Sequence, residues 1–155
     1  AAKVYDLSPS QIGMLMALMP LGFVPGNIIV GKLANQFSAR VLLMIGSILL
    51  IVGPSLSFFT SNFYTHQLAF FVPMIIMAFG TGIIWPVANT EIIQAVPSLA
   101  GSAAGISSAL MVTTSAISSG ILGWNIEDSD PILALVGMLI LVGVATILST
   151  FFIKN

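Results

Sequence analysis

Along the 155 residues, long apolar runs alternate with short polar breaks. A hydrocarbon core of about 30 Å needs about 20 residues of helix at 1.5 Å each. Five runs meet that length, over residues 9–34, 40–59, 67–92, 99–123 and 131–153. The predicted fold class is an all-α membrane protein with five transmembrane helices, forming one bundle over residues 1–155. The first helix has a legible start. Ser8-Pro9-Ser10-Gln11 supplies a Ser cap, Pro at the first helical position and Gln three residues after the cap.

The charges sort by side. Lys32 and Arg40 flank the first break and Lys154 follows the last run. Five crossings put these three on one face, which the positive-inside rule assigns to the cytoplasm. The opposite face receives Lys3, Asp6, the break "TSNFYTH" and the acidic break "WNIEDSDP". The expected topology is N-terminus out and C-terminus in. The chain opens "AAKVYDLS", with neither an initiator Met nor a signal-peptide layout. With an odd number of spans starting outside, the expectation is a segment of a longer polypeptide that has further helices upstream.

Composition points to the lipid bilayer as the main solvent. The chain is 57% hydrophobic and 6% charged, with a mean hydropathy of +1.11, whereas a soluble domain carries roughly a quarter charged residues. A net charge of −1 leaves no basic patch to neutralise phosphates, which excludes a nucleic-acid partner. With no cysteine there are no disulfides, thiolate metal sites or cysteine nucleophiles. No metal and no cofactor is expected.

The five runs differ in texture. The second and fifth are mostly plain apolar runs suited to lipid contact. The first contains Pro20 and Pro25, and the third Pro73 and Pro86. Each proline removes a backbone hydrogen bond that neighbouring protein or cavity water must replace. The interrupted first, third and fourth helices are therefore expected to face a bundle interior, with the plain ones outside. The fourth opens on "PSLAGSAAG", where Gly101, Gly105 and Ala109 recur every four residues and Gly120 roughly continues the face. Such spacing lets two helix backbones approach closely in lipid. The stripe is either an ordinary helix-packing groove or a surface that meets and rocks against a partner half.

Order makes these features more specific. "GKLANQFSAR" comes first, then "GTGIIWP" at 80–86, then "PSLAGSAAG" at 97–105. This trio resembles the C-terminal half of major facilitator superfamily transporters, about helices eight to twelve. It looks most like the bacterial drug:proton antiporters that include the bicyclomycin and chloramphenicol exporters. Gly31, Leu33, Ala34 and Arg40 match the family's loop pattern, with Gly31, Asn35 and Arg40 marking the cytoplasmic loop motif. Asn35 replaces the usual Asp, Gln36 the usual basic residue and Ser38 the usual Gly, which argues against a charge-relay latch in this loop. The resemblance implies two helical halves around a central cavity, worked by alternating access. It also implies that the third span lines the cavity, the first and fourth meet the missing N-terminal half, and the second and fifth support them from the lipid side.

On the third helix, Met74, Ala78, Thr81, Trp85 and Asn89 fall near one face at three- to four-residue spacing. Trp85 offers an apolar plane and an N–H donor, and Asn89 offers donors and acceptors. Together they suit flat, amphipathic small molecules. Interfacial anchoring of Trp85 and a helix-end role for Asn89 are the plain alternatives. Met14 and Asn27 on the first helix are further cavity candidates, Met14 through the adaptable thioether. Glu91 lies at the end of its helix and reads as a solvated acid rather than a buried proton carrier. "GISSA" at 105–109 is a near miss to the serine nucleophile pattern, but His66 belongs to the opposite face, more than half a membrane away. Catalysis is not expected.

The resulting expectation is part of a secondary active transporter in a bacterial inner membrane. It would export small amphipathic compounds of the multidrug type in exchange for protons. A siderophore or metabolite exporter of the same superfamily, or a non-transporting helical membrane subunit, are the alternatives.

Overall fold

In the computed structural model, residues 7–64, 66–95, 97–125 and 131–151 are described. They form α1 (Pro9–Met16), α2 (Met19–Leu33), α3 (Ala39–Phe63), α4 (Gln67–Ala95), α5 (Ala100–Asn125) and α6 (Pro131–Thr150), with a single 3₁₀ turn at Pro97–Leu99. No strand occurs among these residues. Five helices are long and apolar enough to cross a membrane, because α1 and α2 together make the first span of 25 residues. Lys3, Asp6, the acidic break at 126–130 and Lys154 lie outside the described residues.

The local chemistry explains the first span. Ser8 and Gln11 form the reciprocal capping box, Ser8 N donating to Gln11 Oε1 at 2.9 Å while Ser8 Oγ accepts from Gln11 N. The helix then breaks at Ala17-Leu18, since Pro20 has no N–H for the carbonyl of Met16. Three-residue hydrogen bonds bridge the break, Leu18 N to Leu15 O and Leu21 N to Leu18 O, both at 3.1 Å. Pro20 then opens α2 in the first turn, where a missing donor costs least.

Packing centres on α4. It is held between α2 and α3, and α6 lies against α3; α5 touches α4 and α6 only lightly. Two apolar clusters tie the layers. One joins Leu15 to Phe70, Phe71, Met74 and Val136, and the other joins Val30 to Leu42, Leu43, Ile83 and Val87.

This layering corrects the expected sorting of helices. The second span is not a plain lipid-facing helix, since 39% of its most apolar window is buried, close to the 44% of the third. Its buried residues include Gly46, Ser47, Gly53, Pro54 and Ser57. Gly46 and Gly80 face each other so closely that a methyl on Gly46 would stand 2.9 Å from Gly80 O. On the other side, Gly22 and Gly26 bring α2 onto the backbone of α4 at Ile75, Phe79 and Gly82. The fourth span, expected inside, has none of its window buried within this chain.

Candidate functional site

At 100° per residue, Met74, Ala78, Thr81, Trp85 and Asn89 occupy one face of α4 about 80° wide. Their burial is graded along the helix. Met74 is 4% exposed and Ala78 6%, both inside the bundle, whereas Trp85 is 47% exposed. Thr81 and Asn89 are half-buried. The stripe is closed at the end that carries Phe70 and Phe71, and opens toward the end that carries Lys32 and Arg40.

The polar groups on the stripe are partly committed. Thr81 Oγ1 donates to Met77 O at 3.0 Å and Asn89 Nδ2 to Trp85 O at 2.8 Å. Such bonds to the preceding turn hold each side chain along its own helix. What remains outward is acceptor capacity on Thr81 Oγ1 and Asn89 Oδ1, beside the indole plane and N–H of Trp85. That set can hold a flat molecule with an apolar face and one or two polar edges.

The two first-span candidates are placed differently from one another. Asn27 follows Gly26, which faces Phe79 and Gly82, so it lies at the level of Thr81. It is half-buried and donates from Nδ2 to Phe23 O at 3.2 Å. Met14 is 78% exposed and neighbours Leu15, which packs with Phe70 and Met74. From that level to Asn89 is about 22 Å along α4. The stripe and Asn27 are brought together; Met14 is not among them.

A second concavity, which sequence reading did not anticipate, lies at the end of the bundle that carries Arg40. It is a groove of about 420 Å³ between the end of α2, the following loop and the end of α4, lined by Gly31, Asn35, Phe37, Pro86, Thr90 and Glu91 among others. The loop residues and Glu91 were read separately in the sequence, and only the close α2–α4 crossing unites them. Glu91 is the sole acid among the described residues. Thr90 Oγ1 is committed to Pro86 O at 2.8 Å. Arg40, the last residue of the loop motif, turns away from this groove; its guanidinium lies 5.5 Å from the ring centroid of Phe151 at the end of α6.

The small-residue stripe of α5 faces away from the rest of the chain. Ala100, Ala104, Ser107, Met111 and Ser118 are the half-covered residues, and they share one face. Gly101, Gly105, Ala109 and Gly120 lie roughly opposite at 100° per residue. Side chains built at the three glycines would meet nothing within 4 Å. The stripe is therefore not a packing groove for this chain's own helices. Ser107 donates to its own turn at Ala103 O or Ala104 O, and His66 accepts from Leu68 N at the far end of α4, so no nucleophile–base pair forms. No group of His, Asp or Glu able to hold a metal occurs among the described residues.

A profile of the Major Facilitator Superfamily matches residues 1–155. Comparison with individual curated proteins and with solved structures gives no match. Five membrane-length helices, a proline-broken central span and this full-length match agree with one another: the chain is a multi-pass membrane protein that belongs to the major facilitator superfamily, a family of transporters.

Proposed function

We propose that this chain supplies the cavity-lining C-terminal helices of a bacterial inner-membrane exporter, moving small amphipathic compounds in exchange for protons. The observation that carries the reading is the graded stripe on α4, buried at Met74 and Ala78 and 47% exposed at Trp85. With Lys32 and Arg40 on the cytoplasmic side by the positive-inside rule, the open end of the stripe faces the cytoplasm. An exporter loads its cargo from that side. The apolar plane of Trp85 and the acceptors of Thr81 and Asn89 favour cargo with a flat apolar face and a polar edge. In this reading the exposed stripe of α5 meets a complementary helical half, and the two halves rock to alternate access. The described spans hold Glu91 as their only acid, at a helix end, so proton coupling is assigned to that complementary half.

Cysteine scanning tests the reading directly, because the natural sequence has no cysteine. Single cysteines at Thr81, Trp85 and Asn89 are expected to react with a polar thiol reagent and to be shielded by an amphipathic cargo dye. Cysteines at Met74 and Ala78 are expected to stay unreactive. If none of the three open positions reacts in any state, the chain is a packing subunit rather than part of a transport path.

A further inference from the structure

Pro73 interrupts α4 where that helix passes α3. Proline has no N–H for the carbonyl four residues back, and its ring crowds that carbonyl. The deprived acceptor is Ala69 O, with Phe70 O beside it on the same turn. Both receive protons from α3. Ser57 Oγ donates to Phe70 O at 2.7 Å, and Thr60 Oγ1 donates to Ala69 O at 2.5 Å. Ser57 is 0% exposed, so no solvent can stand in for it. Thr60 has a single proton and two alternative acceptors on its own helix, Leu56 O at 2.9 Å and Ser57 O at 3.2 Å. The bond across to Ala69 is the shortest of the three.

We infer that Ser57 and Thr60 are positioning residues. Their hydroxyls replace the backbone bond lost at Pro73, fix the bend there, and so aim the half of α4 that carries Thr81, Trp85 and Asn89. Trp85 lies about 18 Å beyond Pro73 along the helix, so each degree of bend moves it by roughly 0.3 Å. The aiming role rests on the reading of that stripe as cavity-facing; the clamp itself does not. In lipid, a freed carbonyl has no water to turn to, which is why the partner must come from a neighbouring helix.

The test is a double-mutant cycle of Thr60→Val and Pro73→Ala in the full chain, read as the folding equilibrium in a detergent titration. Pro73→Ala restores an N–H for Ala69 O. Thr60→Val should then lower the folding equilibrium roughly 3- to 20-fold in the natural background, and less than about twofold when residue 73 is Ala. Equal losses in both backgrounds would mean that Thr60 acts by packing alone, and the clamp is overturned. Should Pro73→Ala fail to fold, Thr60→Ser keeps the hydroxyl and decides the matter: stability close to natural supports the clamp, and a loss equal to that of Thr60→Val overturns it. The aiming role is read separately, from the thiol reactivity of Trp85→Cys. That rate is expected to change with Thr60→Val and to return with Thr60→Ser. If the Trp85→Cys thiol reacts at a rate that ignores both substitutions, the aiming role is overturned. If that thiol is unreactive in every background, the cavity reading falls and the aiming role with it, while the folding cycle still decides the clamp.

Discussion

Gly26 and Gly105 look alike in the sequence, each a glycine in an apolar helix, yet their surroundings are opposite. A methyl on Gly26 would run into the carbonyl of Phe79, whereas one on Gly105 would meet open space. Forcing a methylene into a tight contact typically costs about 1–3 kcal/mol, and backbone atoms cannot move aside as a flexible side chain would. Gly26→Ala is expected to lower the unfolding midpoint in detergent accordingly. Gly105→Ala is expected to leave the stability of these helices within about 0.5 kcal/mol. If the complementary half seats on this stripe, the same Gly105→Ala substitution should still impair efflux. A Gly26→Ala protein as stable as the natural one would show that α2 does not approach α4 this closely.

At the scale of elements, the helix ends make their own predictions. Ser8→Ala removes the cap acceptor and the reciprocal bond with Gln11. A loss of about 1 kcal/mol is typical of such caps, and it should appear as faster hydrogen exchange confined to the first turn of α1. Arg40 and Phe151 tie the start of α3 to the end of α6. A double-mutant cycle of Arg40→Gln with Phe151→Leu should return a coupling of about 0.5–1 kcal/mol, the range of a partly exposed cation–π contact. Additive losses would mean that the two groups do not interact. The helices themselves were legible as runs of apolar residues, but their roles were not equally so. The second was read as plain because its average hydropathy is high. Gly46, Gly53 and Ser57 recur seven and four residues apart, so they share a face, and that face is the one packed on α4. Small residues at helical spacing, rather than prolines alone, carried the signal.

At the scale of the whole molecule, α4 is sheathed by α2 and α3 while α5 remains uncovered. In lipid, helices associate through packing rather than through hydrophobic burial, so α5 gains little from the chain's own helices. Amide hydrogen exchange is expected to be faster along α5 than along α4 in this chain by itself. It should slow along α5 when a complementary half assembles on it. Unchanged exchange on assembly would leave the small-residue stripe without a partner.

The sequence by itself determined that this is a five-span helical membrane protein, because length and hydropathy along a single run decide whether a helix can cross a bilayer. It also determined the cap at Ser8, the break near Pro20 and a polar stripe on α4, all of which depend on residues within a few turns of one another. Tertiary structure alone decided which end of that stripe is closed, since Met74 is buried by Leu15 and Phe70 from other turns and another helix. It alone joined Glu91 to the Gly31–Asn35 loop in one groove, and matched the hydroxyls of Ser57 and Thr60 to carbonyls 13 and nine residues away. Those pairings turn on how two helices cross, and a crossing is set by close contacts between residues that no local pattern links.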